Sequence, residues 1–257
     1  MTLEHRAGNA VDVSIIVMAY NEVATVADVL HEIDSAMRPS GPTYEVIVVD
    51  DGSSDGTGAI ADAMARALPS VSVLHHGSNL GIGEVYRSGF RAATGEFLTF
   101  LPADGQFPAS IVTQFASLMP GVDLLLGYLP DVKRSVVASA LSWTERSLYW
   151  LMFGSLPRFQ GIMMFRRSML AELGVEPSGR GWGVLMEIIV RAKRYSKVIR
   201  SVPTSLRPRI SGTSKVNNFR SIRANLAQAI ELWRSLRRER ETALACTPLS
   251  PDTPTAH

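Results

Sequence analysis

The residues best suited to chemistry follow an apolar run, Phe97 to Leu101. Four of its five residues are apolar, as in a strand buried on both faces, and Pro102 ends the run because proline has no N–H for a sheet ladder. Asp104 and Gln106 come next. Ligands of open α/β sheets bind beyond the carboxyl ends of the strands, so this carboxylate and amide predict a site for a metal ion or a ribose. A polar turn before the next helix is the ordinary alternative, since Asp and Gly are common in turns.

Acidic residues also follow two earlier apolar runs. The run Val13 to Met18 predicts a strand that leads to Glu22, and Glu45 to Asp50 predicts a second strand that leads directly into Asp51. Carboxylates grouped at one sheet edge can accept hydrogen bonds from a nucleobase and a ribose. They can also neutralise a divalent ion that bridges a diphosphate. For Glu22 the ordinary alternative is a charge at a helix N-terminus.

Strand and helix patterns alternate along the first half of the chain. Two further strands are predicted over Val71–Leu74 and Val122–Leu126. Helices are predicted over Val23–Met37 and Pro108–Met119, and two more helices end at Ala67 and Ala93. Repeated strand-then-helix units predict a Rossmann-like, mostly parallel sheet flanked by helices. His75 and His76 would close the third strand as loop residues rather than as metal ligands.

Composition limits the class of protein. The chain has 257 residues, 46% of them hydrophobic, which suits one sizeable catalytic domain with a helical tail. Its single cysteine, Cys246, excludes an internal disulfide and a cysteine-built metal site. No apolar run has the ~18 uncharged residues of a membrane span, and the N-terminus lacks the features of a signal peptide. We therefore expect a cytoplasmic protein.

Charge divides the chain into two halves. Residues 1–130 hold 5 Lys or Arg and 15 Asp or Glu, net −10, whereas residues 131–257 hold 21 and 9, net +12. This asymmetry predicts an acidic half that binds a nucleotide and a metal, and a basic half that faces phosphates or anionic lipid. Solvated charged surfaces are the ordinary alternative.

Four motifs occur in a specific order, followed by a fifth. They are Ala19-Tyr-Asn-Glu22, Val48-Val-Asp-Asp-Gly-Ser-Ser-Asp-Gly-Thr57, Asn79-x-Gly81-x-Gly83, Ala103-Asp-x-Gln106 and Arg209-Ile-Ser-Gly-Thr-Ser-Lys215. Together they resemble family 2 glycosyltransferases of the GT-A fold, in particular the polyprenyl-phosphate (dolichol-phosphate) mannosyltransferase and glucosyltransferase branch. The resemblance covers about residues 13–215.

The resemblance implies roles for the motif residues. In this family the nucleotide pocket would be formed at Ala19, Tyr20, Glu22, Asp50 and Ala103. A core aromatic is the ordinary alternative for Tyr20.

The resemblance also implies how the donor is held. Asp51 would contact the base, and Asp104 with Gln106 would hold Mg²⁺ or Mn²⁺ on the diphosphate. Arg209 and Lys215 would lie on a mobile loop and stabilise the leaving nucleoside diphosphate or the acceptor phosphate.

Two departures from the family pattern affect these expectations. Pro102 stands where the metal motif usually has a carboxylate, so metal affinity should fall and catalysis could dispense with the ion. The chain has Gly127-Tyr-Leu-Pro130 where the family tends to have an arginine, and Lys133 or Arg134 would then complete the diphosphate clamp.

The second half is predicted to be helical and basic. An amphipathic pattern over Ser135–Phe153 suits a helix on a membrane or over an acceptor site, or an ordinary buried helix. The predicted helix Trp182–Arg194 carries Glu187, either a catalytic base or a group that orients Arg209; an exposed helix glutamate is the ordinary alternative. Residues 216–241 form a basic amphipathic helix that suits membrane docking or core packing.

These expectations define four segments. They are a flexible leader (1–12), a glycosyltransferase domain (13–215, with its nucleotide half at 13–130 and acceptor half at 131–215), the basic helix (216–241) and a disordered tail (242–257). The expected location is cytoplasmic, peripheral on the inner face of the membrane, with no nucleic-acid partner.

The expected reaction is inverting transfer of a hexose from a GDP- or UDP-sugar to a polyprenyl phosphate. That acceptor is already an anion and needs no strong base, whereas a soluble hydroxyl acceptor would need one, with Glu187 the leading candidate. A non-catalytic nucleotide-sugar binding module is also compatible with the motifs, and a nucleotidyltransferase is the least supported function.

Overall fold

The computed structural model describes residues 11–130, 148–175, 183–208 and 227–239. Most of the predicted leader, much of Ser135–Phe153, Arg209, Lys215 and the predicted tail lie outside these residues, as do Lys133 and Arg134.

The described residues form a seven-stranded sheet with the order β3-β2-β1-β4-β6-β5-β7. The strands are β1 Val13–Ala19, β2 Tyr44–Asp50, β3 Val71–His75, β4 Phe97–Pro102, β5 Leu124–Tyr128, β6 Met163–Arg166 and β7 Ile199–Pro203. Within this sheet β6 runs against its neighbours β4 and β5, and the other pairs are parallel. The predicted mostly parallel sheet is therefore confirmed.

Helices cover both faces of the sheet. They are α1 Val26–Met37, α2 Thr57–Ala67, α3 Ile82–Ala92, α4 Ser110–Leu118, α5 Ser168–Glu172 and α6 Gly183–Arg194, with further helical residues at 148–153 and 227–239. Apolar side chains of α1, α2 and α4 pack in one core with Ile15 and Val17 of β1, while those of α3, α5 and α6 pack in a second core with Ile16. Successive β1 side chains thus enter opposite cores, as alternation along a strand requires.

Several details of the fold went beyond the sequence patterns. Strand β6 lies between β4 and β5 in the sheet, and Thr99 Oγ1 of β4 donates a hydrogen bond to Met163 O of β6 at 2.9 Å. Strand β7 and helix α5 had not been predicted; β7 has only five residues, of which Val202 alone is buried. Helix α1 begins at Val26 rather than Val23, because Asn21 to Thr25 form a turn in which Thr25 N donates to Glu22 O at 3.1 Å.

Within the described residues, no helix combines the length and apolar character needed to cross a membrane.

Candidate active site

The carboxyl ends of β1, β2 and β4 lie side by side. Ala19 is in register with Asp50 and Met18 with Pro102, so all three strands end at the same level. Beyond the strands, Asp51 N donates to Ala19 O and Ala103 N donates to Met18 O, both at 2.9 Å. The segments that carry Glu22, Asp51 and Asp104 therefore meet at one edge of the sheet, as the sequence predicted.

Side chains of the loop after β2 fix the backbone of the loop after β1. Asn21 has a positive φ of 55° and donates its N–H to Ser53 Oγ at 2.9 Å, while its Oδ1 accepts from Ser54 N at 2.9 Å. Glu22 N donates to Thr57 Oγ1 at 2.8 Å. Asn21, Ser53 and Thr57 had not been predicted as site residues. Their hydroxyl and amide groups within the two motifs were the signal that could have found them.

Asp55 links the same loop to the start of α2. Its Oδ2 accepts from Val23 N at 3.1 Å, and its Oδ1 accepts from Thr57 N at 3.0 Å and from Thr57 Oγ1 at 2.5 Å. Partial desolvation acts to raise the pKa of Asp55, but the hydrogen bonds from Thr57 and Val23 outweigh it and lower the pKa. Asp55 therefore stays ionised and holds both loops.

Asp50 is buried at the carboxyl end of β2. Its Oδ1 accepts from Ser53 N at 3.1 Å, and its Oδ2 lies 3.0 Å from His75 Nδ1. A Cβ at Gly58 would lie 2.6 Å from Asp50 Oδ2, so a larger residue at this α2 position would displace the Asp50 carboxylate. Asp50 therefore links the end of β2 to its own loop and to β3.

His75 is the last residue of β3 rather than a loop residue, which corrects the sequence interpretation. Its Nε2 lies 3.1 Å from Asp62 Oδ1, so one imidazole bridges Asp50 and Asp62. Hydrogen bonds to Asp50 and then to Asp62 raise the pKa of His75, which favours the doubly protonated ring.

Asp51 joins the loop after β2 to the loop after β3 through one buried carboxylate. Its Oδ1 lies 2.7 Å from His76 Nδ1 and accepts from Leu80 N at 2.9 Å, and its Oδ2 accepts from Gly81 N at 2.9 Å. His76 is held in turn by Ser88 Oγ, 2.9 Å from its Nε2. A carboxylate has about four acceptor positions, so these contacts leave Asp51 room for one more donor, such as a nucleobase N–H.

The turn after β4 presents Asp104 and Gln106. Asp104 is 6% exposed and accepts from Gln106 N at 3.1 Å through Oδ1. Thr25 Oγ1 donates to Ala103 O at 2.6 Å and so ties this turn to the start of α1. No group of three His, Cys, Asp or Glu side chains suited to a metal occurs in the part of the chain that the structure describes. An ion held by Asp104 and Gln106 would thus need further oxygen ligands from a bound diphosphate.

Glu187 forms an ion pair within α6. Its Oε1 accepts from Arg191 Nε at 2.8 Å, and the Arg191 guanidinium also donates two hydrogen bonds to Glu239, at 3.0 and 2.6 Å. The side chain of Glu187 is only 12% exposed, so the alternative of an exposed helix glutamate is wrong. The predicted phosphate-binding residues Arg209 and Lys215 lie outside the described ranges.

The family model described as "Glycosyl transferase family 2" matches residues 14–174, more than half of the chain. The chain belongs to glycosyl transferase family 2. It is a glycosyltransferase, and this assignment confirms the resemblance drawn from the five motifs.

Three curated relatives are each 28% identical to this chain and align with 79% of it. They are the dolichol-phosphate mannosyltransferase of Pyrococcus furiosus, the undecaprenyl-phosphate mannosyltransferase of Micrococcus luteus and the polyprenol monophosphomannose synthase of Mycolicibacterium smegmatis. The alignments span 59%, 86% and 80% of these proteins, respectively. The Pyrococcus relative is thus considerably longer than the matched region.

Solved structures agree on the fold. Glucosyl-3-phosphoglycerate synthase from Mycobacterium tuberculosis, crystallised with uridine diphosphate, superposes with a TM-score of 0.64 at 20% identity, covering 89% of this chain and 86% of that chain. Crystals of the same synthase also contain Mg²⁺ with uridine diphosphate, or Mn²⁺ with UDP-glucose and phosphoglyceric acid. The GT-A fold expected from the motifs is confirmed.

Proposed function

We propose that this chain transfers a hexose from a nucleoside-diphosphate sugar to a polyprenyl phosphate, with inversion at the anomeric carbon. The meeting of the Tyr20–Glu22 loop, Asp51 and Asp104 at one sheet edge, in a chain of this family, carries the proposal. The names of the three mannosyltransferase relatives support the choice of acceptor.

The nucleotide would enter across the ends of β1 and β2. The backbone N–H groups of residues 21–23 are held by Ser53, Thr57 and Asp55, so this loop presents a preformed surface to the base and ribose. Asp51 would accept the N–H of a base at its remaining acceptor position. Uracil and guanine both carry a ring N–H, which fits a UDP- or GDP-sugar.

The diphosphate would lie over the turn after β4. Asp104 and Gln106 would hold a divalent ion there, and that ion would neutralise charge on the leaving group. Since these residues offer one carboxylate and one amide, the protein alone should bind the ion weakly. Metal affinity should therefore rise sharply when a nucleoside diphosphate is present.

The chemical step needs no protein nucleophile. A phosphate oxygen of the acceptor attacks the anomeric carbon from the side opposite the diphosphate, and the bond between that carbon and the diphosphate oxygen breaks. The leaving nucleoside diphosphate keeps the electron pair, and the predicted cations Arg209 and Lys215 would stabilise it. An ionised phosphate gives up no proton in this step, which agrees with the engagement of Glu187 by Arg191.

With a polyprenyl phosphate as acceptor, the enzyme would act at the cytoplasmic face of a membrane. Trp150 and Leu151 are 64% and 75% exposed, and Arg237 and Arg238 are exposed on the helical residues 227–239. Both segments contact the last turn of α6, where Lys193 donates to Ser155 O and Arg194 donates to Leu236 O. Exposed apolar side chains near basic ones suit an anionic bilayer surface.

The proposal is tested by offering GDP- and UDP-hexoses, labelled in the sugar, with a short-chain polyprenyl phosphate or a water-soluble alcohol. We expect label to enter the organic phase only with the polyprenyl phosphate. Transfer to the alcohol alone, lost in Glu187→Gln, would instead establish a hydroxyl acceptor with Glu187 as base.

A further inference from the structure

Arg207 connects three parts of the molecule that are far apart in sequence. Its backbone N–H donates to Gln106 O at 2.7 Å, on the turn after β4. Its guanidinium donates to both carboxylate oxygens of Glu32 on α1, at 2.7 and 2.9 Å. The extended chain after β7 is thereby attached both to α1 and to the turn that carries Asp104.

Glu32 holds the other end of the same turn. Its Oε1 accepts from Ala109 N at 3.0 Å as well as from Arg207. Partial burial acts to raise the pKa of Glu32, but hydrogen bonds from Arg207 and Ala109 N outweigh it and lower the pKa. Glu32 is therefore ionised near neutral pH, and residues 106 and 109 are fixed through one ion pair.

We infer that Arg207 and Glu32 are positioning residues for sugar transfer. Their ion pair holds the Asp104–Gln106 turn in the geometry that receives the donor diphosphate. This inference rests on the proposed function, because it gives the pair a role at the diphosphate end of the same site. Neither residue touches the reacting atoms; both act through the turn.

The exposure of the pair separates this role from simple stabilisation. The side chains of Arg207 and Glu32 are 48% and 34% exposed, and ion pairs so open to solvent add little to global stability. Loss of the pair should instead weaken ligand binding, because a small displacement of the turn would misplace the groups that hold the diphosphate.

The same helix supplies a matched control. Arg38, which follows the last residue of α1, pairs with Asp34 of α1 through guanidinium contacts of 2.8 to 3.2 Å, and Asp34 also accepts from the Tyr44 hydroxyl of β2 at 2.6 Å. Arg38→Gln thus removes the same kind of interaction from the same helix without touching residues 103–109.

The test compares Arg207→Gln with Arg38→Gln by calorimetry of UDP and GDP in the presence of Mg²⁺, and by thermal unfolding. We expect Arg207→Gln to weaken diphosphate binding about 10-fold or more with an unchanged Tm, and Arg38→Gln to change neither. Equal binding in the two variants would overturn the inference. So would weaker binding accompanied by a matching fall in Tm, because that result indicates general destabilisation.

A double-mutant cycle tests the pairing itself. Glu32→Gln keeps an oxygen for Ala109 N but loses the ion pair, so the double variant with Arg207→Gln should bind the diphosphate no worse than Arg207→Gln alone. Additive losses would contradict a shared role. Wild-type protein that binds diphosphate but transfers no sugar would refute the proposed function and leave this cycle interpretable.

Discussion

Two regions of this molecule use charge in different ways. At the ends of β1, β2 and β4, the carboxylates of Asp50, Asp51, Asp55 and Asp104 all accept hydrogen bonds from backbone N–H groups. Those of Asp50 and Asp104 bind within their own loop, and those of Asp51 and Asp55 reach a neighbouring loop. Around α6, charged side chains pair with one another, and Arg191 bonds to both Glu187 and Glu239. The first arrangement sets the shape of loops, whereas the second joins one helix to another.

The two arrangements imply different effects of substitution. A carboxylate that accepts hydrogen bonds from a loop backbone holds that loop in the conformation that binds the ligand. Removing the carboxylate should therefore reduce ligand binding and catalysis. A buried ion pair between helices contributes little to the donor site. Removing one member of the pair destabilises the fold, because the other charge loses that partner. Substitutions at the sheet edge should thus affect activity first, and substitutions around α6 should affect stability first.

The largest effect is expected at Asp104. Asp104→Ala removes the carboxylate placed beside the diphosphate and should reduce kcat by about 100-fold or more. The fold should survive because the residue lies on a turn. Steady-state transfer assays and circular dichroism measure the two outcomes, with Asp28→Ala on an exposed α1 position as the control. Near-normal turnover by Asp104→Ala would refute the site.

The second largest effect is expected for the ion pairs around α6, and it concerns stability. Arg191→Leu removes the guanidinium that bonds to both Glu187 and Glu239, although Arg194 stays 3.8 Å from Glu239, and it should lower the free energy of unfolding by about 3 kcal/mol. Urea titration measures this change. The folded fraction should retain kcat within a few-fold of wild type, and a selective loss of kcat at full stability would mean that α6 serves the chemistry directly.

A smaller loss is expected at Thr57, which is fully buried. Thr57→Val removes the hydroxyl that accepts from Glu22 N, at a cost of about 1 to 3 kcal/mol, and should raise the KM for donor more than it lowers kcat. Thr113→Val, on the exposed side of α4, is the matched control. An unchanged donor KM would separate the loop network from nucleotide binding.

The smallest effect concerns pH and His75. Its pKa is raised in the folded protein by Asp50 and Asp62, so its stabilising contribution is complete below the unfolded pKa of about 6.5 and is lost as pH rises through the folded value. His75→Gln should therefore lower Tm by a few degrees at pH 6 and by less at pH 9. A Tm difference between His75→Gln and wild type that is independent of pH would contradict the assignment.

Sequence patterns predicted the first region well because its information is local. Buried apolar runs fixed β1, β2 and β4, and carboxylates next to those runs had to meet at one edge once the strands were parallel. The role of Thr57 was missed because the sequence does not show which group a threonine at the start of a helix will bind. Thr57 and its partner Glu22 are also 35 positions apart in the sequence.

The second region depends on contacts that no local pattern encodes. Glu187 was placed on a helix correctly, but its partner Arg191 is shared with Glu239, 48 positions beyond that arginine. Strand β6 lies between β4 and β5 because of antiparallel pairing across more than 60 residues. The pair of Glu32 with Arg207 spans 175 positions and could not be predicted from either segment alone.

The central claim is that the ends of β1, β2 and β4 form the donor site. A crystal structure with a nucleoside diphosphate and Mn²⁺ tests it most directly. We expect the base beside Asp51 and the diphosphate over Asp104 and Gln106. A nucleotide bound on another surface, with this edge of the sheet unchanged, would contradict the account.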